Sequence, residues 1–292
     1  MAQQKIQLRK LRDFSQNISD TFQFIKQELK PLLTAFVLVA GAFMLVSVIL
    51  SGIYQKEAFG FLDELQSGGF TSKTVFSLYT PGYFLSVIFS LVAFGAMITV
   101  VALYMKLSDE NGLSPTAADI WRLFGKYFFR VAIFSLLEGI VVFAGFIFCV
   151  LPGIYLMVVL FPYPFVIVNE DKSIGETFSR CFELIKENFW NSLGIYIVAG
   201  LISSVCSMVI GLVLGIFIGV GSYFSTKEIS STAAIVTSFV TMLQYFFYLV
   251  LFVAVGLQYY NLAELRDGTG LERRLEDLGS GLAGNTGNEE QY

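Results

Sequence analysis

Hydrophobic residues in this chain come in long runs fenced by charge. No Asp, Glu, Lys or Arg lies between Lys30 and Lys56, Lys73 and Lys106, Glu187 and Lys227, or Glu228 and Glu264. Between Arg130 and Glu170 only Glu138 interrupts. A helix that crosses a membrane needs about 20 mostly apolar residues. Four of the gaps therefore hold one span each, and the Arg130–Glu170 gap holds two if the chain folds back. The pattern predicts spans near 32–53, 83–104, 129–150, 153–168, 193–223 and 234–257. The expected fold class is all-α: a polytopic membrane helix bundle of six transmembrane helices plus three amphipathic in-plane elbow helices.

The elbows are expected near 12–30, 115–128 and 173–190, each ahead of an odd-numbered span. Phe14, Ile18, Phe22, Ile25 and Leu29 recur at helical spacing in the first. Ala117, Ile120, Trp121, Phe124, Tyr127 and Phe128 form one stripe in the second, and Ile174, Phe178, Cys181, Ile185 and Phe189 do so in the third. A helix with an apolar stripe and a charged opposite face can lie in the plane of the membrane. The first and third segments share an acid-Thr-Phe opening and a central Ile-Lys (Ile25-Lys26, Ile185-Lys186), and "LFGKYFFR" places Lys126 comparably in the second, as a unit used three times would; amphipathic helices also resemble one another by physics alone, and both readings stand. Ser173 and Glu176 have capping-box spacing, so the third elbow is expected to start sharply after Asn169-Glu170-Asp171.

Composition agrees with a lipid environment. Of 292 residues 55% are hydrophobic and 14% charged, against about 25% charged in a soluble domain. Histidine is absent, which removes the commonest general base and metal ligand. The three cysteines, Cys149, Cys181 and Cys206, have no disulfide or zinc spacing. The first apolar run begins after about 30 residues, too late for a cleaved signal peptide, so it is expected to be a retained span. Of the 19 Lys and Arg residues, 16 fall on the side of the two termini and three, Lys56, Lys73 and Lys227, on the other. The positive-inside rule then puts both termini in the cytoplasm. Residues 1–264 are expected to form the membrane domain, and 265–292 a disordered cytoplasmic tail. The connection 51–80, with "KEAFGFLDELQSGGF", reads as a short helix ending at Gly68-Gly69.

Several residues stand out within the spans. Pro152 and Gly153 are expected to make the tight turn between spans three and four. Pro162 and Pro164 each remove an intrahelical hydrogen bond late in span four. Either they end a short span, or they expose carbonyls to a small binding cavity. Glu138 lies within span three, where a carboxylate costs about 2.5–3.5 kcal/mol. It is expected to face the bundle interior and to meet Gln244, Tyr245, Ser203 or Ser204, as a proton- or substrate-linked site or as a packing residue. Gly211, Gly215 and Gly219 form a small-residue series suited to close helix packing, within the chain or between two copies. Lys26, Lys126, Arg180 and Lys186 are expected to meet anionic lipid headgroups.

Leu151-Pro152-Gly153, Phe161-Pro162 and "VIVNEDKSIGETFSRCFELIKENFW" resemble a group of bacterial six-span inner-membrane proteins. These are the membrane domain associated with glycerophosphoryl diester phosphodiesterases and related uncharacterised families. About 40 residues match well, and the rest loosely through span count; Thr177 and Cys181 depart from the pattern. The resemblance implies an inner-membrane location and this fold. It implies no phosphodiesterase activity, because the chain has no soluble catalytic domain. No nucleophile triad, phosphate loop or carboxylate pair is visible either. The expectation is a non-enzymatic protein without cofactor or metal, in a scaffold or membrane-homeostasis role. The alternative is a small transporter, channel or lipid-moving protein using Glu138 and the broken fourth span. Expected partners are the lipid bilayer and its anionic headgroups, with a second copy of the chain or other membrane proteins left open. A net charge of −4 without a basic soluble domain excludes nucleic acid.

Overall fold

The computed structural model describes residues 6–66, 80–225 and 229–268, with side chains placed at 6–55, 80–216 and 237–268. Helices α1 (Phe14–Gln66), α2 (Pro81–Asn111), α3 (Ala117–Phe148), α4 (Val150–Leu160), α5 (Tyr163–Glu170), α6 (Ile174–Ile185), α7 (Phe189–Ser225) and α8 (Ile229–Asp267) follow one another, and no strand occurs among the described residues. Six helical segments are long and apolar enough to cross a membrane, with α4 and α5 together forming the fourth. This is the organisation of a multi-pass membrane protein.

Local chemistry sets the helix ends. Thr80 caps α2, with Pro81 in the first turn where a missing amide is harmless. Gly112 ends α2 in the left-handed region at φ 63°. Thr116 and Asp119 cap α3 reciprocally: the Asp119 carboxylate accepts from the Thr116 amide at 3.1 Å, and the Thr116 hydroxyl accepts from the Asp119 amide at 3.3 Å. Asp171 terminates α5 at φ 51°. The Ser173 amide and hydroxyl then donate to the Glu176 carboxylate at 2.9 and 2.5 Å and start α6.

At the centre is α2, whose residues Ala96–Met105 are sealed from solvent on every face. A helix buried all round has core rather than amphipathic character. α1, α3, α5 and α8 surround it. Gly256 lets α8 cross α2 and α5, since a Cβ there would lie 2.5 Å from Met105 Sδ and 2.6 Å from the Phe165 ring. α3 and α7 stand outermost and turn Ile133, Leu136, Ile140, Phe143 and Ile147, and Leu201, Val205, Met208 and Leu212, outward. In lipid such faces need no further cover.

Three features differ from the sequence reading. The first two elbows are not separate elements: residues 14–30 open α1 and residues 117–128 open α3 without interruption. Pro31 sits inside α1, at a cost of about 3 kcal/mol. The continuous stripe of Phe24, Glu28, Leu32, Ala35 and Phe36, all buried, holds the helix together across it. No breaker lies between Lys126 and Phe129 to interrupt α3. Only the third elbow is a distinct helix, α6, set off from α7 by a turn at 186–188. The turn between α3 and α4 is at Cys149, in extended backbone, rather than at Pro152-Gly153. Pro152 falls in the first turn of α4, where amides have no intrahelical acceptor, so it does not break the helix. Gly153 serves close approach instead: a Cβ there would meet the Phe146 ring at 2.5 Å. Finally, α8 runs ten residues past the expected span end, to Asp267 and so into the expected tail, and stays buried as far as Ala263. The Gly68-Gly69 helix end and the tail from 269 lie outside the described residues.

Candidate functional site

Seven helix ends converge where the chain begins, and their polar side chains form a layer across that end of the bundle. Arg12 precedes α1 and is 6% exposed. It donates from Nε to Asp20 at 2.8 Å, from Nη1 to the Leu8 carbonyl at 2.7 Å, and from Nη2 to the Gln7 carbonyl. Its backbone amide donates to Asn261 Oδ1 at 2.8 Å, and its carbonyl accepts from Asn261 Nδ2 at 3.1 Å. Gln258, one helical turn earlier on α8, accepts from Asn17 at 3.1 Å and donates to Ser192 of α7 at 3.0 Å. α1, α7, α8 and the N-terminal segment are thus joined through side chains with no more than 6% exposure.

The other half of the layer centres on Glu28 and Glu170. Glu28, buried on α1, accepts from Tyr104 of α2 at 2.6 Å and from Ser114 at 2.5 Å. Glu170, the last residue of α5, accepts from both Arg180 (3.0 Å) and Tyr259 (3.0 Å), and pairs with Lys172 at 2.8 Å. Arg180 also pairs with Glu183 at 3.1 Å and with Asp267 at the end of α8. Lys106 donates to the Val168 carbonyl at 2.7 Å, and Tyr260 to the Asn169 side chain at 2.8 Å, so an orphan carbonyl and a side-chain amide at the end of α5 are satisfied from α2 and α8. Arg9 pairs with Asp109 at 2.9 Å and lies over the Tyr260 ring.

Electrostatics follow these contacts. Burial opposes the charge of Arg180, yet its three carboxylates hold it above the ordinary arginine range. Burial lowers the affinity of Arg12 for its proton, against the pull of Asp20. Hydrogen bonds from Lys126, then Arg130, hold Asp171 below the usual carboxylate range. The Ser173 hydroxyl and amide do the same for Glu176. Burial pushes the Cys181 thiol up, which makes it inert.

The expected headgroup contacts divide. Lys26 and Lys186 are exposed. Lys126 is half exposed and paired with Asp171 at 2.9 Å. Arg180 is not a headgroup residue: its side chain is 7% exposed and spent on carboxylates of three helices. The intramembrane site expected from Glu138, Gln244 and Tyr245 is not assembled. Gln244 donates to Tyr248 at 3.1 Å, one turn away on its own helix. Tyr245 bonds Ser47 of α1 at 2.7 Å, which bonds Ser90 of α2 at 3.1 Å. Ser203 donates to the Ala199 and Phe247 carbonyls, each at 2.9 Å. α3 packs chiefly against α1, α2, α4 and α5, whereas Gln244, Tyr245 and Ser203 sit on α7 and α8, so none reaches Glu138. Gly211 packs within the chain, since a Cβ there would lie 3.0 Å from Val240 of α8. Gly215 lies one turn farther along α7, and Gly219 lies where side chains are not described.

Glu138 instead belongs to the α3–α5 hairpin. Ser135, one turn before it, bonds the Tyr163 hydroxyl at 2.5 Å, and Gly145 approaches Gly153, where a Cβ would be 3.1 Å from the Cα. The antiparallel register through these two pairs sets Glu138 against Leu160, at the interruption between α4 and α5. Phe161 and Pro162 form that interruption, and Pro164 occupies the first turn of α5. On another flank of the break, Met157, Val158, Phe161, Leu193, Tyr196 and Leu251 line an apolar cavity of about 240 Å³. The buried Tyr196 hydroxyl has no hydrogen-bond partner among the described residues.

Comparison with protein families, curated proteins and solved structures finds no match. Sequence reasoning missed the polar layer. Its available signal was the run Gln258-Tyr259-Tyr260-Asn261 beyond the last apolar stretch, and the stripe of Asn17, Thr21 and Glu28 opposite the apolar face of residues 14–30.

Proposed function

We propose that this chain is a non-enzymatic scaffold of the bacterial inner membrane, related to the membrane domain associated with glycerophosphoryl diester phosphodiesterases. Both termini and the polar layer face the cytoplasm, as the basic residues on that side favour. The observation that carries this reading is the layer itself. Arg12, Gln258 and Asn261, with Glu28, Glu170 and Arg180, join the helix ends through buried hydrogen bonds. A buried hydrogen-bond network rigidifies the elements it joins, and this one does so although the buried Asn17 Oδ1 has no partner among the described residues. A bundle held shut at one end suits a fixed platform better than an alternating carrier, which needs two arrangements of its helices. The outward apolar faces of α3 and α7 meet lipid or other membrane proteins, and Lys26 and Lys186 meet anionic headgroups.

The test is reconstitution of the full chain into liposomes, with proton and fluorescent-lipid movement measured against protein-free vesicles. A scaffold leaves both rates at the protein-free level. Sustained flux of either species overturns the reading.

A further inference from the structure

The break in the fourth span has a chemistry that a scaffold does not require. Pro162 and Pro164 have no amide hydrogen, so the carbonyls of Val158 and Leu160 lack the donors that a continuous helix would supply. Both residues are buried, at 1% and 0% exposure. Such carbonyls are costly in an apolar interior unless something satisfies them.

Glu138 faces this point. The register that pairs Ser135 with Tyr163 and Gly145 with Gly153 places it level with Leu160. It shares a helical stripe with Val131, Phe134, Ser135 and Gly145, the residues that α3 turns inward. Its carboxylate makes no hydrogen bond to any described side chain. Its depth is about 12 Å from Arg130, eight residues away at 1.5 Å each, and Arg130 marks the polar end by its pairing with Asp171. The carboxylate is therefore below the charged layer, without a protein donor, and beside carbonyls that also lack one.

We propose that Glu138, the hydroxyls of Ser135 and Tyr163, and the freed carbonyls of Val158 and Leu160 form a site for one positive charge, taken up as a proton or a sodium ion. A single carboxylate balances one positive charge and leaves the site neutral, which the low dielectric requires. Interrupted helices in membrane proteins present carbonyls to such cations. A proton would lie on the carboxyl and be donated to a carbonyl, whereas sodium would be held between the carboxylate and the oxygens. Either occupant bridges α3 to the interruption and stiffens it. The titratable groups facing Glu138 are Tyr163 from α5 and Cys181 from α6. α1 between Leu32 and Gln55, α2 between Val92 and Met105, and α4 contribute no charged residue. The site is independent of the scaffold reading, because occupancy without flux and flux without occupancy are separate results.

The experiment is thermal unfolding of the full chain in detergent, for wild type and Glu138→Gln. One arm varies sodium chloride against choline chloride at pH 8.5, and the other varies pH from 5 to 9 in choline chloride. A hundredfold excess over Kd is expected to raise the wild-type Tm by about 5–10 °C. A response in the sodium arm identifies sodium, and one confined to the pH arm identifies a proton. Glu138→Gln, a neutral isostere, loses that response. The proposal is overturned if wild type responds in neither arm or if Glu138→Gln keeps the whole response. If that variant does not fold, infrared difference spectra of wild type decide. The carboxyl band must change between the two conditions, and Glu138→Asp must shift it; an unchanged band overturns the site.

Discussion

Replacing Arg180 with methionine removes a charge that is 7% exposed while preserving most of its volume. Three carboxylates lose their partner, to unequal effect. Glu183 is 57% exposed and pairs only three residues away, so it contributes no more than a few tenths of a kcal/mol. Asp267 is 38% exposed and solvent takes over part of its stabilisation. Glu170 is 19% exposed and keeps Lys172 and Tyr259, but loses the Arg180 Nε–H that its two oxygens share and that ties it to α6. Breaking a buried pair from one side costs about 3–5 kcal/mol. Because Glu170 keeps other partners, the lower figure applies, about 3 kcal/mol. At about 2–4 °C per kcal/mol that lowers Tm by about 6–12 °C. Thermal unfolding in detergent, with Lys186→Ala as an exposed control within about 0.5 kcal/mol of wild type, provides the assay. The double variant Arg180→Met/Glu170→Gln is expected to be more stable than the two single losses added together, because the most buried of the three carboxylates is no longer left as a charge without Arg180. The reasoning is refuted if Arg180→Met costs no more than Lys186→Ala, or if the two losses simply add.

Gly153→Ala is expected to destabilise by about 1–3 kcal/mol through overpacking, since its Cβ would meet the Phe146 ring at 2.5 Å. Gly200→Ala, with nothing within 4 Å, is expected to be neutral or slightly stabilising in the same unfolding assay. Gln258→Leu strands the Asn17 amide and takes the donor from Ser192, while Asn261 keeps both bonds to Arg12; at about 1–3 kcal/mol for an unsatisfied buried group, it should be among the most destabilising single changes, read by the same Tm. Asp171 is held below the usual carboxylate range by Lys126 and Arg130. Its contribution is complete above the unfolded value of about 3.9 and is lost as pH falls through the lower folded value. Wild type should therefore lose stability more steeply than Asp171→Asn in acid, by less than about 1 kcal/mol for a half-exposed group, as acid titration of Tm would record.

The spans could be read from the charge-free gaps because a membrane helix needs length and apolarity and little else. The start of α6 was legible because Ser173 and Glu176 lie three residues apart and their bond is local. The polar layer was not legible because its bonds are not local. Arg12 meets Asn261 across 249 residues, and Arg180 meets Asp267 across 87. In residues 14–30 the sequence presents two stripes, and periodicity alone favoured Phe14, Phe22 and Leu29. The structure leaves these exposed and buries Asn17, Thr21 and Glu28, because α8 and α2 supply partners that no local pattern reveals. The first elbow and its span were expected as separate pieces, 12–30 and 32–53, while tertiary packing carries α1 unbroken through Pro31 between them. Glu138 was legible as unusual, but its neighbours were not. Gln244 and Tyr245 are chemically suitable, yet they already bond Tyr248 and Ser47.

The central claim is that buried polar contacts hold the helix ends in one fixed arrangement, and hydrogen exchange of the full chain in lipid nanodiscs tests it most directly. Amides of residues 258–263 are expected to exchange as slowly as those of 96–105 in the middle of α2. Exchange of 258–263 at the rate of the exposed residues around Lys172 would mean that this end opens, and would contradict the account.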